Sequence, residues 1–69
     1  MVAILLGTGF EEAEAIVPAD LLRRAGVEVT LVGLDGRQVV SSHNITVTAD
    51  LTLEELDREQ VDMLMLPGG

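Results

Sequence analysis

The sequence contains no cysteine, tryptophan, tyrosine or lysine among its 69 residues, and Phe10 is its single aromatic residue. Without cysteine the chain has no disulfide, no thiolate metal site and no sulfur nucleophile of its own. Without tryptophan or tyrosine it has no large aromatic anchor for a recognition surface. These absences exclude a disulfide scaffold and leave a core made of aliphatic side chains.

Positive charge is also scarce. Twelve acidic residues against four arginines give a net charge of -8. The field of such a chain repels phosphate groups, so neither nucleic acid nor an anionic membrane is expected as a partner. No apolar run approaches the roughly 20 residues of a bilayer span, and Met1 leads into a strand without a basic leader. A cytoplasmic location is therefore the default expectation.

The apolar content is high enough for a folded core, since 48% of the residues are hydrophobic. A chain of this length buries only about 60% of the surface that its unfolded form exposes, so it forms one domain at most. Three apolar runs, residues 2–6, 27–32 and 61–66, are typical of strands buried on both faces of a parallel sheet. The sequence therefore predicts an α/β fold of the doubly wound, mostly parallel type.

Residues 11–25 have helical spacing. The residues expected on the apolar side of this helix are Ile16, Val17, Leu21, Leu22 and Ala25. Acidic residues fill the first turn and arginines the last, as the helix dipole favours, and Gly26 is the expected stop. Pro18 interrupts the pattern and should bend the helix.

Two further elements are predicted between the second and third strands. Residues 39–40 and 45–48 read as an antiparallel pair around a polar turn that contains His43. Residues 50–59 are predicted to form a short acidic helix, with Thr52 and Glu55 as its capping box. Three strands that are buried on both faces need helices on both sides of the sheet. This chain has too few helices for that, so one face of the sheet is expected to be uncovered. The chain is therefore expected to be the N-terminal portion of a longer protein, or to have that face covered by another polypeptide.

The loops after the first and last strands should meet at the carboxyl edge of the sheet, where ligands bind in such folds. After the last strand, Pro67 ends the ladder, and Gly68 and Gly69 leave backbone amides free to hold an anion or an oxyanion. Glu14 belongs to the other loop and helix start. If the helix face that Glu14 shares with Pro18 meets the sheet, its apolar surroundings would favour the protonated carboxyl, which could act as a general acid-base. The alternative is that Glu14 is a surface acid that compensates the helix dipole.

Other candidate sites are weaker. A nucleotide site after the first strand is not expected, because Glu12 replaces the third glycine of the motif and carboxylates occupy the phosphate position. His43 is expected to be a surface turn residue, and no second ligand is spaced along the sequence to make a metal site, so none is predicted. Met63 and Met65 are expected to fill the core.

Three stretches carry a resemblance to a known family: GFEEAE at 9–14, PADLLRRAGVEVT at 18–30 and LPGG at 66–69. Together they resemble the N-terminal third of the DJ-1/ThiJ/PfpI superfamily, in its DJ-1/YajL-like branch. The resemblance implies a flavodoxin-like sandwich, usually a homodimer, with a reactive cysteine at a strand-to-helix elbow. It implies no cofactor. Members are glyoxalases that convert methylglyoxal to lactate, protein deglycases, oxidative-stress sensors or chaperones, and, in the PfpI branch, intracellular proteases.

The resemblance also implies roles for individual residues. Glu14 matches a protonated glutamate that hydrogen-bonds the cysteine sulfur, and Gly68 and Gly69 match the glycine pair whose amide faces that sulfur. Asp20 and Arg24, an i,i+4 pair, match helix residues near the dimer contact.

Ser41 stands where some relatives carry a second, peripheral cysteine. The A-x-C-x-G elbow and a later histidine would lie beyond Gly69, so the 69 residues alone are expected to be inactive. Two hypotheses follow: part of a cysteine-dependent glyoxalase or deglycase for 2-oxoaldehydes or glycated substrates, or a non-catalytic stress-sensing dimer.

Overall fold

The computed structural model describes residues 1–69 and shows an α/β fold built on parallel strands. Its elements are β1 (Val2–Leu6), α1 (Glu12–Arg24), β2 (Val29–Gly33), β3 (Gln38–Val40), β4 (Thr46–Thr48), β5 (Leu51–Thr52), a 3-10 helix (Arg58–Gln60) and β6 (Met63–Met65). The main sheet has the order β5-β2-β1-β6 with every neighbouring pair parallel, and β3 and β4 form a separate antiparallel hairpin. The predicted fold class is confirmed.

β1 lies in the middle of the main sheet and sets its register. It pairs with β2 along its whole length, from Val2 opposite Val29, and with β6 from Val2 opposite Met63. Alternate residues of β1 face α1 and the hairpin, among them Ile4 and Leu6, which are fully buried. Burying an aliphatic side chain of this size stabilises the fold by roughly 1.5–3 kcal/mol. This face of the sheet carries the main core.

Helix α1 starts and ends where its sequence signals place it. The carboxylate of Glu11 accepts a backbone N–H of the first turn at 3.2 Å. Gly26 adopts a φ of 83°, which other residues rarely adopt, and its N–H donates to the carbonyl of Arg23 at 3.1 Å. Pro18 lies inside the helix. No helix of the chain is both long enough and apolar enough to cross a bilayer.

The buried face of α1 differs from the predicted one. Ala15 and Ala19 face the sheet and are buried, whereas Ile16, Val17 and Leu21 are between 40% and 59% exposed. Small side chains at the contact let the helix approach the strands closely, and the larger aliphatic residues then lie on the outer side. The predicted apolar side is therefore wrong for these three residues and for Ala25, which is also exposed, while Leu22 packs partly against the core as predicted.

The predicted acidic helix at residues 50–59 is also wrong. The carboxylate of Asp50 accepts the N–H of Leu31 at 2.8 Å and a bond from Arg23 at 3.0 Å, which holds the chain extended beside β2. β5 follows at once and extends the sheet, with Leu51 opposite Val32. Pairing with the sheet overrides the local helical tendency of this acidic stretch.

The contact predicted between Thr52 and Glu55 is present in a turn instead of a helix. The N–H of Thr52 donates to a carboxylate oxygen of Glu55 at 2.9 Å, and the N–H of Glu55 donates to the carbonyl of Thr52 at 3.1 Å. Arg37 reaches the same carboxylate from the loop before β3, at 3.1 Å. Glu55 therefore ties the end of β5 to that loop.

The last strand is shorter and less buried than predicted. β6 pairs only with β1 and forms an edge of the sheet, so Met63 and Leu64 are about 60% exposed. Met65 packs partly against the core, as predicted, but Met63 does not. Little of the chain packs over the faces of β6, so its first two side chains stay exposed.

The two faces of the main sheet are covered unequally. α1 and the hairpin cover the face of Ile4, while the opposite face carries an apolar hollow of about 530 Å³. Leu5, Leu53 and Leu64 line this hollow, and residues of the segment between β5 and β6 form part of its wall. The expectation of an incompletely covered face, drawn from the count of layers, is confirmed.

Replacing Glu55 by Gln should lower the melting temperature at neutral pH, and the loss should shrink as the pH falls below 4.5. The hydrogen bond from the Thr52 backbone, and then the bond from Arg37, lower the pKa of the Glu55 carboxyl from 4.5. A carboxyl whose pKa is lowered by folding stabilises the fold above its unfolded pKa, and this contribution is lost in acid. Glu54→Gln is the matched control, because Glu54 is exposed and makes no such bond. An equal loss at neutral and acidic pH would contradict the assignment.

Candidate functional site

Two loops meet at the carboxyl edge of the sheet, because β1 and β6 are parallel neighbours. Gly7 to Phe10 follow β1, and Pro67 to Gly69 follow β6. Together they line a small crevice of about 180 Å³ whose walls are mostly backbone. The predicted meeting of these loops is confirmed.

Both backbone polar groups of Gly68 are bound by residues at the start of α1. Its carbonyl accepts the N–H of Glu11, and its own N–H donates to Oε1 of Glu14 at 3.0 Å. The first of these bonds uses a backbone donor at the helix N-terminus that has no partner within the helix. Glu11 and Glu14 thus fix the position of the loop from Pro67 to Gly69, the glycine loop, relative to the loop from Gly7 to Phe10, the first loop.

The glycines of this loop leave little room for side chains. A Cβ at Gly69 would lie 2.6 Å from the carbonyl oxygen of Gly9, and a Cβ at Gly68 would lie 3.0 Å from Oε1 of Glu14. Gly9 has a φ of 86°, which brings its carbonyl toward the terminal glycine. Close approach of backbone to backbone requires glycine at this crevice.

Glu14 reaches the glycine loop, although its face of the helix does not meet the sheet. Glu14 is exposed, and so is Leu21, two turns further along the same side of the helix. The prediction that apolar groups surround the Glu14 carboxyl is therefore wrong. Oε1 accepts the bond from Gly68, while Oε2 makes no hydrogen bond within the chain. One carboxyl oxygen of Glu14 is therefore without a hydrogen bond, while the other is bound to the loop that lines the crevice.

Asp20 and Arg24 lie one turn apart on the outer side of α1. The Nε atom of Arg24 donates to Oδ1 of Asp20 at 3.0 Å, and the two side chains are 76% and 54% exposed. The predicted i,i+4 pair is therefore present. An exposed pair of this kind contributes little to stability by itself, a few tenths of a kcal/mol.

The hairpin of β3 and β4 packs on the first loop. The N–H of Gly9 donates to the carbonyl of Val40 at 2.8 Å, and the N–H of Ser42 donates to the carbonyl of Phe10 at 2.9 Å. Ser41 is buried, and its hydroxyl oxygen accepts the N–H of Ile45 at 3.0 Å, which closes the hairpin turn. The hydroxyl of Ser41 therefore has a structural partner within the hairpin.

His43 is an exposed turn residue, as predicted, but it is not isolated. Its Nδ1 lies 2.7 Å from Oε1 of Glu12 and 3.9 Å from Oε2 of Glu11. The backbone N–H of Glu12, and to a lesser degree the imidazole of His43, lower the pKa of the Glu12 carboxyl below its ordinary value. Sequence spacing missed this cluster because its members are about 30 residues apart, and no pattern in the sequence indicates how the hairpin folds back on α1.

The fold and the crevice define a parallel α/β protein whose candidate ligand site lies at the carboxyl edge of the sheet, between two glycine-containing loops. All of the chain, residues 1–69, matches the model of the DJ-1/PfpI family, so the chain belongs to that family. The resemblance drawn from the sequence motifs is confirmed.

Known relatives agree with this assignment. The protein dj-1beta of Drosophila melanogaster is 40% identical over 67 residues, which cover 96% of this chain and 36% of that protein. A deglycase of Thermococcus kodakarensis is 37% identical over 68 residues, which cover 99% of this chain and 41% of that protein. The chain thus spans 36% to 41% of the length of these relatives.

Solved structures show the same fold. A DJ-1 superfamily protein from Salmonella typhimurium superposes with a TM-score of 0.92 at 49% identity, covering 99% of this chain and 37% of the other. The crystal structure of Drosophila melanogaster DJ-1beta gives a TM-score of 0.91 at 39% identity, with coverages of 99% and 37%. The arrangement of these 69 residues is therefore the arrangement found in that family.

Replacing Gly69 by Ala should destabilise the protein by about 1–3 kcal/mol, because the added methyl group meets backbone atoms of the first loop that cannot move independently. Gly7→Ala is the control, since a Cβ there would meet only Leu34 Cδ1, at 3.5 Å. Thermal unfolding of both variants measures the difference. Equal melting temperatures for the two variants would show that the close approach at Gly69 carries no constraint.

Proposed function

We propose that this chain is the N-terminal part of a single DJ-1/PfpI domain and forms half of the pocket of a cysteine-dependent, cofactor-independent enzyme. The substrate class is that of methylglyoxal-type 2-oxoaldehydes and the glycated groups they produce, which makes the activity that of a glyoxalase or protein deglycase. The observation that carries the proposal is the bond between Glu14 and the amide of Gly68 at the sheet edge. The deglycase among the relatives supports it.

The nucleophile in this proposal is a cysteine outside these 69 residues. Its thiol passes its proton to Glu14 as the sulfur adds to the aldehyde carbon of methylglyoxal, and Glu14 delivers that proton to the new alkoxide, which gives a hemithioacetal. The Glu14 carboxylate then removes the hydrogen on that carbon and returns a proton to the neighbouring carbonyl carbon, which produces a lactoyl thioester. Hydrolysis of the thioester releases lactate and regenerates the thiol, so the sequence of steps consumes only water.

The glycine loop has an electrostatic part in this scheme. Negative charge develops first on the oxygen of the attacked aldehyde and then on that of the enediolate. Backbone N–H groups at a crevice of fixed geometry stabilise such charge without a cost in reorganisation. Gly68 and Gly69 are the residues of this loop at the crevice. The N–H of Gly68 already donates to Glu14, so the donor proposed for the developing charge is the N–H of Gly69, and the bonds of Gly68 to Glu11 and Glu14 hold the loop in place.

A second candidate is a redox-sensing, non-catalytic dimer. Its support is a solved relative at 35% identity, the DJ-1 of Toxoplasma gondii, whose structure is of the oxidized protein. In this alternative Glu14 and the glycine amides hydrogen-bond to an oxidized cysteine sulfur instead of to a substrate. The two candidates differ in whether 2-oxoaldehyde is turned over.

Glu14→Gln in the complete protein should lower kcat for the conversion of methylglyoxal to lactate by about 10²- to 10⁴-fold, because the amide cannot accept or return a proton. Lactate formation under saturating substrate is the measurement. Glu28→Gln is the control, since it removes one negative charge at an exposed residue away from the crevice. Unchanged turnover in Glu14→Gln would remove the catalytic role and leave the redox-sensing candidate.

We further propose that the outer side of α1 is the contact of a homodimer. Ile16, Val17 and Leu21 are large apolar residues that stay exposed there, beside the ion pair of Asp20 and Arg24. Contiguous exposed apolar residues with a polar rim are typical of a protein interface. Desolvation by a second subunit would strengthen the otherwise weak ion pair.

Leu21→Glu should convert the dimer into a monomer, because the new carboxylate would be buried without a partner. Leu21→Met, which keeps the surface apolar, should leave the dimer intact. Sedimentation equilibrium of both variants gives the mass of the assembly. A dimer that survives Leu21→Glu would place the contact elsewhere.

A further inference from the structure

A cluster of potential metal ligands lies beside the crevice and has no part in the chemistry proposed there. It consists of Glu11 and Glu12 at the start of α1 and His43 at the tip of the hairpin. One ligand atom from each residue falls within 4.8 Å of the other two. The imidazole comes from a separate segment, so the cluster is more than a run of acidic residues at a helix end.

The charges of this cluster are not balanced by arginine. Both carboxylates are largely covered, with side-chain exposures of 29% for Glu11 and 17% for Glu12. His43 is the one basic residue that lies within salt-bridge distance of either carboxylate. The arginines lie elsewhere, three of them in ion pairs with Asp50, Asp20 and Glu55 and the fourth, Arg58, at the apolar hollow. The two adjacent carboxylates therefore have no arginine as a partner.

We propose that Glu11, Glu12 and His43 bind a divalent cation of the zinc class. One imidazole nitrogen and two carboxylate oxygens are the donors that Zn²⁺ takes in open sites with three protein ligands, where water fills the fourth position. A cation restricted to oxygen ligands, such as Mg²⁺ or Ca²⁺, would gain nothing from the imidazole.

The distances in the cluster suit this coordination. A tetrahedral ion with bonds of about 2.0–2.1 Å holds its ligand atoms roughly 3.3 Å apart. The imidazole nitrogen is 2.7 Å from one carboxylate and 3.9 Å from the other, on either side of that value. His43 is 67% exposed, so its imidazole has room to move toward equal distances from the two carboxylates.

The surroundings of the cluster orient two of the three ligands. The hydroxyl of Ser42 donates to Oε2 of Glu12 at 3.3 Å, on the oxygen that does not approach the imidazole. The N–H of Ser42 donates to the carbonyl of Phe10 at 2.9 Å, which fixes the hairpin tip against the residue before Glu11. Hydrogen bonds of this kind to metal-ligating carboxylates position them for the ion.

Titration of the complete, metal-free protein with Zn²⁺ by isothermal calorimetry tests the proposal. The variants are Glu12→Gln and His43→Gln, and Glu54→Gln is the control for loss of one negative charge. Each ligand variant should lose one equivalent of bound Zn²⁺ or bind that equivalent at least about 10-fold more weakly, a loss already typical of changes outside the ligand shell. A thiol elsewhere in the protein contributes equally to all variants, so the difference reports on this cluster alone.

His43 is exposed, and His43→Gln is therefore expected to fold, which circular dichroism checks. Co²⁺ bound in place of Zn²⁺ gives a visible absorption spectrum that should change in both ligand variants but not in Glu54→Gln. Zn²⁺ binding that is the same in His43→Gln as in the unaltered protein would overturn the proposal. A loss in Glu12→Gln alone would overturn it too, because the site would then be a purely acidic one.

Discussion

The arrangement of the candidate site depends on the two hydrogen bonds that hold the backbone of Gly68. Its carbonyl accepts the backbone N–H of Glu11 and its N–H donates to the carboxylate of Glu14, so the two successive peptide units that meet at Gly68 are both bound at the start of α1. The bonds join residues that are more than 50 positions apart in the sequence. They convert two loops that would otherwise vary independently into one rigid rim of a crevice.

The start of α1 contacts two neighbouring segments and also carries its own cap. Toward the sheet edge it holds the glycine loop, toward the hairpin its carboxylates face His43, and its own first turn is capped by Glu11. The hairpin in turn is bonded to the first loop through Gly9 and Ser42. The hairpin therefore contacts both the first loop and the start of α1.

Sequence patterns predicted the features that arise from local signals and chain direction. The strand at Val2–Leu6, the helix stop at Gly26 and the meeting of the two loops all follow from breakers, periodicity and the geometry of parallel sheets. Patterns failed where tertiary contacts decided the outcome. Asp50 binds β2 and keeps a helix-prone stretch extended. The cluster of His43 with two glutamates depends on how the hairpin packs against α1, which no local sequence pattern indicates.

β6 has a further consequence for how these 69 residues behave in solution. Its outer side offers free backbone donors and acceptors next to exposed Met63 and Leu64, and it has no charge or proline among its three residues to deter another strand. An open edge of this type acts as a template for unrelated or identical chains. Recombinant material limited to these 69 residues would thus tend to assemble edge to edge, and its solubility would depend on whether that edge is capped.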